Sequence, residues 1–266
     1  MRKIIRRYSC KQGDYMKIVI LGDSISEGIG KKKHNYAEIL QQDYKDIEIV
    51  NLALTGTTIK YALGLVDEIN KINPDIIFVC YGNVDAILRP ITNKKFGLYN
   101  LVPRRYRNNG MLDPRAFISR KKLKGTFQLL ESHIRYNIKK ILLKTEGTYC
   151  WTELELFREI YNQFLERVSE GKRREILLIS TVTINDKYFP GSTKQFELYN
   201  STIKQIALEH GYKFIDIYNI LKKYPRSLVY GNDHFHPVEE GYRKIAEVLS
   251  EEIDSIIKSH QLSKKI

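Results

Sequence analysis

Apolar positions along the chain alternate between two kinds of run. Short β-branched stretches recur at KIVILG (17–22), IEIVNLA (47–53), DIIFVCYG (75–82), EILLISTV (175–182) and KFIDIY (213–218). Continuous apolarity over so few residues predicts strands covered on both faces. Between them, Asn35–Tyr44, Thr58–Ile72, Leu154–Val168, Thr193–His210 and Glu239–Ile257 carry apolar side chains at helical spacing. In the last, Tyr242, Ile245, Ala246, Leu249 and Ile253 fall on one face and predict an amphipathic helix closing the chain. Parallel neighbours need a crossover, and a helix supplies it, so this rhythm predicts a three-layer α/β/α domain around a parallel sheet. Five strands suggest the flavodoxin-like order 2-1-3-4-5, whose ligands bind at the carboxyl ends of the strands where the order reverses.

One segment breaks the rhythm. Residues 86–150 contain Pro90, Gly97, Pro103, Gly110 and Pro114 before a helix expected over about Thr126–Lys144. The segment reads as an insertion after strand three, inside a single domain spanning 16–258. Residues 1–15 form a basic extension and 259–266 a tail. The insertion also holds the chain's charge, with fifteen Lys and Arg against Asp113, Glu131 and Glu146, a net of +12 where the whole chain carries +13. An anionic partner should therefore meet this segment rather than the body. Candidates are a saccharide with acidic groups, an anionic polysaccharide, or a membrane surface contacted by the Thr126–Lys144 helix; nucleic acid is disfavoured, since no recognised binding module accompanies the charge. The preferred reading of that helix is an ordinary one whose apolar side covers the core.

Composition narrows the rest. The chain is 42% hydrophobic and 28% charged, ordinary globular usage. Cys10, Cys80 and Cys150 are odd in number and widely spaced, which argues against a disulfide framework, and Cys80 within a strand reads as a small core residue. No stretch reaches the length of a membrane span, and Lys11, Asp14 and Lys17 interrupt any signal-like apolar run, so the expected location is cytoplasmic or peripheral at a membrane. Oligomeric state is not legible.

Two places offer chemistry. LGDSIS puts Ser24 at the turn leaving strand one, where a hydroxyl serves either as a helix cap or as a nucleophile beside the turn's amides. Near the far end, NDHFHPVEEGY sets Asp233 three residues before His236, close enough for the carboxylate to hold the imidazole while the other ring nitrogen faces a nucleophile; His234, adjacent to Asp233, should point elsewhere. His34, His133, His210 and His260 show no metal-like spacing, and neither a metal nor an organic cofactor is expected.

Taken together, VILGDSIS at the start and Asp-x-x-His-Pro before the last helix resemble the SGNH (GDSL-type) hydrolases. The resemblance covers the body and leaves 86–150 outside. It implies an acyl-enzyme esterase with Ser24, Asp233 and His236 as catalytic residues. It also implies an oxyanion hole from Ser24, Gly56 in NLALTGTT, and an asparagine after strand three. There the chain departs from the family: YGNVDA sets Val84 where Gly-x-Asn-Asp has its asparagine, and Asn83 is displaced by one. Asp85, Arg104, Arg105 and Arg107 are candidate substrate contacts. The implied activity is removal of an O-acetyl or other short acyl group from a carbohydrate or glycoconjugate. A carbohydrate O-acetyltransferase using the same triad and a non-catalytic binding protein on this scaffold are the alternatives.

Overall fold

The computed structural model describes residues 16–29, 34–107, 112–119 and 121–263. The N-terminal extension with Cys10, and also Arg120, lie outside them. The central sheet contains β1 (Met16–Gly22), β2 (Ile47–Asn51), β3 (Ile76–Cys80), β6 (Glu175–Ile179) and β7 (Lys213–Ile215), in the order β2-β1-β3-β6-β7. All four pairings are parallel, and the order is the one expected once the two short strands of the insertion, β4 (Arg89–Pro90) and β5 (Thr148–Tyr149), are counted. Every residue of β3 is buried, as is the carboxyl half of β1, because helices cover both faces.

The covering helices are α2 (Tyr36–Asp43), α3 (Ile59–Gly64), α4 (Val66–Ile72), α7 (Leu154–Ser169), α8 (Ser192–Glu209) and α11 (Glu239–Ser263). The helix expected over Thr58–Ile72 divides at Leu65, and α11 continues through Ser263, so most of the supposed tail is helix. KFIDIY is strand only to Ile215. Asp216 then accepts Asn219 N at 3.0 Å and caps α9 (Ile217–Lys222), which with α10 (Arg226–Val229) separates the sheet from the Asp233 loop. An Asx side chain that satisfies helix amides stops the extended run despite its apolar neighbours. Among the described residues no helix is long and apolar enough to cross a membrane.

The insertion leaves and rejoins the body at one place, because β4 and β5 pair antiparallel, Arg89 with Tyr149 and Pro90 with Thr148. Bringing the ends together lets the segment be added without disturbing the sheet. Beyond this ribbon come two 3₁₀ turns (Leu98–Leu101 and Arg104–Tyr106), a strap over 112–119, and α6 (Lys122–Thr145). Val102, Tyr106, Leu112 and Leu142 form a small core of their own.

Most of the apolar side of α6 faces outward, against expectation, with only Leu142 buried and Ile138 packed beside it. Its buried positions include Arg135 and Lys139, whereas Leu123 and Phe127 are 81% and 72% exposed and Leu130, Ile134 and Ile141 are exposed as well. The reason lies in the acidic residues. Asp113 takes Lys139 and, at 3.3 Å, Arg89; Glu131 takes Arg115 at 2.6 Å and Arg135 at 2.9 Å. Glu146 accepts Leu98 N at 2.6 Å and lies 3.8 Å from Lys94. Lys139 Nζ also lies 5.1 Å from the Phe189 ring centre, and Arg89 stacks 3.6 Å over Trp151. A buried cation is tolerated only when paired, so the carboxylates decide which face of α6 turns inward.

Candidate active site

The strand ends expected to carry chemistry do converge. Leaving β1, Asp23 accepts Ile25 N at 2.9 Å through Oδ1 and caps the one-turn helix α1 (Ser24–Glu27), so Ser24 opens this helix as its first residue. Gly22 is required just before it: a β-carbon there would lie 2.4 Å from Ser26 Oγ and 3.0 Å from the Cys80 carbonyl oxygen. The close approach of α1 to β3 therefore depends on an absent side chain.

Across the crevice, Asp233 organises its own loop. Its Oδ1 accepts Phe235 N and His236 N, both at 3.1 Å, and Oδ2 lies 2.6 Å from His236 Nδ1. His236 Nε2 lies 2.9 Å from Ser24 Oγ. Hydroxyl, imidazole and carboxylate thus form one hydrogen-bonded row, with Asp233 buried and His236 at the solvent side. Gly231 N donates to the His236 carbonyl at 2.8 Å, Tyr230 pairs with Pro237, and a β-carbon on Gly241 would strike the Val229 carbonyl oxygen at 2.2 Å. These contacts hold the imidazole at the mouth of the crevice. His234 adopts φ +55° and stacks on Tyr188 at 4.6 Å, away from the row. Burial and the nearby Arg226 lower its pKa.

The loop after β2 reaches the same edge. Leu54 N donates to the Gly22 carbonyl at 3.1 Å and Thr55 N to Glu27 Oε2 at 2.6 Å. Gly56 follows at φ +77° with open space where a β-carbon would stand, a backbone state that suits glycine.

Gly82 takes φ +120°, and Asn83 begins α5 (Asn83–Ala86). Asn83 Oδ1 accepts Val182 N at 2.9 Å, which turns its NH₂ end toward the Asp23 carboxylate beside Ser24. Val84, at the place the family pattern gives to asparagine, is buried. The contribution of Val182, from the loop after β6, has no sequence signature.

Asp23 itself is buried. Burial raises its pKa to about 6, against the opposing pull of the Ile25 amide, the Asn83 side chain and His236.

Asp85 is turned inward onto the backbone. It is fully buried, with Oδ1 accepting Ile59 N at the start of α3 and Oδ2 accepting Gly82 N, each at 3.2 Å. Burial raises its pKa to about 7. Arg107 donates to the carbonyls of Asn100 and Val102 and so folds its own loop; Arg105 stacks 4.5 Å from the Tyr106 ring centre; Arg104 is exposed. The insertion reaches the Asp233–His236 loop elsewhere, through the strap: Asn232 N donates to the Ala116 carbonyl at 3.3 Å, and a β-carbon on Gly231 would lie 2.9 Å from that oxygen. Cys80, its thiol pushed up to about 12 by burial, is an inert core residue beside Tyr36. Among the described residues no three His, Cys, Asp or Glu converge as metal ligands would.

A parallel α/β sheet with a serine, a histidine and an aspartate in hydrogen-bonded sequence at its switch point defines a hydrolase of the serine type. Residues 20–244 match the model of the GDSL-like Lipase/Acylhydrolase family, and the chain belongs to that family; it is a serine ester hydrolase. Similar solved structures include a lipase/acylhydrolase from Enterococcus faecalis, at 15% identity, TM-score 0.58 and coverage of 90% of this chain and 96% of that one. A catalytic mutant of an acetylxylan esterase from Geobacillus stearothermophilus aligns at 16% identity and TM-score 0.56, covering 92% and 96%. A GDSL-family lipolytic protein from Veillonella parvula aligns at 17% and 0.56, covering 89% and 97%. At such identities the likeness establishes the fold. No curated protein matches the chain in sequence.

Proposed function

We propose that Ser24 is the nucleophile of an acyl-enzyme esterase, with His236 as its general base and Asp233 as the group that orients the imidazole. The carrying observation is the row Ser24 Oγ, His236 Nε2, His236 Nδ1 and Asp233 Oδ2, with separations of 2.9 Å and 2.6 Å at its two hydrogen bonds. His236 takes the Ser24 proton as Oγ bonds to the ester carbonyl carbon. The resulting imidazolium, held by Asp233, returns that proton to the leaving alkoxide as the C–O bond breaks. Water then enters, losing a proton to His236, and its attack releases the acid and restores Ser24. The amides of Ser24 and Gly56, with the Asn83 NH₂, are the proposed donors to the developing oxyanion. Support for Asn83 is its orientation, fixed by Val182 N and facing the Asp23–Ser24 turn.

The substrate is a short-chain ester, with an O-acetyl group on a saccharide as the preferred member. The structural likeness to an acetylxylan esterase supports that preference. Steady-state hydrolysis of p-nitrophenyl esters from acetate to octanoate, with Ser24→Ala and His236→Ala as controls, tests the chemistry. The expected result is turnover of the short chains, lowered by roughly 10³-fold or more in each variant. Equal rates in wild type and variants would overturn the assignment. Release of acetate from an acetylated xylo-oligosaccharide tests the alcohol, and a preference for octanoate with no acetate release would replace the saccharide by a lipid ester.

A further inference from the structure

The exposed side of α6 is an unusual surface. Leu123, Phe127, Leu130, Ile134 and Ile141 follow one another at spacings of four, three, four and seven, which places them on a single stripe. All five are exposed, and Phe96, at 93%, and Leu101 stand exposed in the same insertion. Isolated apolar side chains at a surface are ordinary, but a run of this length on one helix marks a contact surface. Lys122, Lys124, Lys140 and Lys144 flank it and are exposed.

Charge decides the occupant. The three acidic residues of the insertion are each turned inward onto cations or amides of the insertion itself. What faces outward is an apolar stripe bordered by cations, in a segment of net charge +12. A second copy of the chain would bring two such segments together, like charge against like. Residues 1–15 carry Arg2, Lys3, Arg6, Arg7 and Lys11 against Asp14, so they share that sign and are a poor cover. An anionic bilayer satisfies both features at once: the acyl region takes the apolar stripe and the headgroups take the lysines.

We propose that α6 seats this protein on the surface of an anionic membrane, with its apolar stripe in the headgroup–acyl boundary. The strap over 112–119 then connects the membrane-facing helix to the loop of His236, through Ala116 and Asn232. Esters presented at that surface are thereby brought to the crevice. The seating does not rest on the esterase assignment, and it is tested in protein carrying Ser24→Ala so that the two fail separately.

The experiment is co-sedimentation of full-length protein with vesicles of phosphatidylcholine, alone or with about 30% phosphatidylglycerol. Binding is expected on the anionic vesicles and at least roughly tenfold weaker on the neutral ones, fading as salt rises from about 50 to 500 mM. Phe127→Gln with Ile134→Gln should weaken it a further roughly tenfold or more through the lost apolar surface. Lys140→Gln with Lys144→Gln should weaken it roughly fivefold per lysine. Both pairs replace exposed side chains, and an unchanged far-UV circular dichroism spectrum confirms that they fold. No sedimentation with anionic vesicles, equal sedimentation with neutral ones, or no effect of either pair would overturn the proposal. A dimer in sedimentation velocity that the Phe127 and Ile134 substitutions dissolve would likewise overturn it and assign the stripe to a second copy.

Discussion

The sheet body and the insertion solve the same folding problem in opposite ways. In the body, β1 and β3 bury continuous apolar runs, and the charges of α7 and α11 face water. In the insertion, the buried positions of α6 include Arg135 and Lys139, and the apolar stripe faces out. The body is held by area removed from water, which is non-directional and tolerant of small shifts. The insertion has only a small apolar core and leans on a few carboxylates that each fix two partners, so much of its stability is concentrated in single groups. A region built that way can present an apolar surface without losing its fold.

Substitutions in each region sharpen the contrast. Phe78→Ala, in the middle of β3, should cost about 3 to 5 kcal/mol of global stability, read from urea unfolding. Asp113→Ala leaves Lys139 and Arg89 facing one another without their carboxylate. The expected loss is about 3 kcal/mol, confined to the insertion, and hydrogen exchange should show it as lost protection of α6 with β1 and β3 unchanged. Loss of protection spread evenly over both regions would break the comparison.

Acid should separate the regions by sign. The pKa of Asp85 is raised from 3.8 to about 7 in the folded body, so the native state holds that proton more tightly than the unfolded chain. Its effect is to lower body stability as pH rises from about 4 to 7, and acidification across that window is stabilising. Glu131 behaves conversely: against the upward push of desolvation, Arg115 and Arg135 hold its pKa down at about 2 from 4.5. The stability it contributes is complete above about pH 4.5 and is lost as pH falls toward 2. Asp113 is lowered too, since Lys139 and then Arg89 outweigh its burial. Thermal unfolding and exchange from pH 7 down to 2 should therefore show a body that gains stability to about pH 4 and an α6 that opens below it. The smallest effect belongs to the stripe: Phe127→Gln should change stability by less than about 0.5 kcal/mol, because the side chain is already in water.

Much of this was legible in the linear pattern, and the misses are informative. Runs such as KIVILG and DIIFVCYG declared buried strands because no other element hides a continuous apolar stretch so short. The meeting of Ser24, Asp233 and His236 was legible for a related reason: each follows a local turn grammar, a capped strand-to-helix turn at one end and an Asp-x-x-His-Pro loop at the other. The inward setting of Asp85 was not legible, because the amides that donate to it, those of Ile59 and Gly82, come from a helix start and a turn that the letters YGNVDA do not show. The extension of KFIDIY past Ile215 failed because the Asp216 cap competes with strand pairing at a point where composition is unchanged.

The outward apolar side of α6 marks the boundary between the two kinds of information. Its helical period is a local property, written at three- and four-residue intervals, and the sequence by itself determined that a helix forms there. Which side turns inward depends on Asp113, twenty-six residues from Lys139 along the chain, and on the Phe189 ring brought from the other side of β6. The same holds at the active site, where Ser24 and His236 stand 212 residues apart and Val182 orients Asn83 from 99 residues away. Periodicity and turn chemistry are short-range and survive in the sequence; the pairing of distant charges and donors exists only once the chain has closed, and tertiary structure alone decided it.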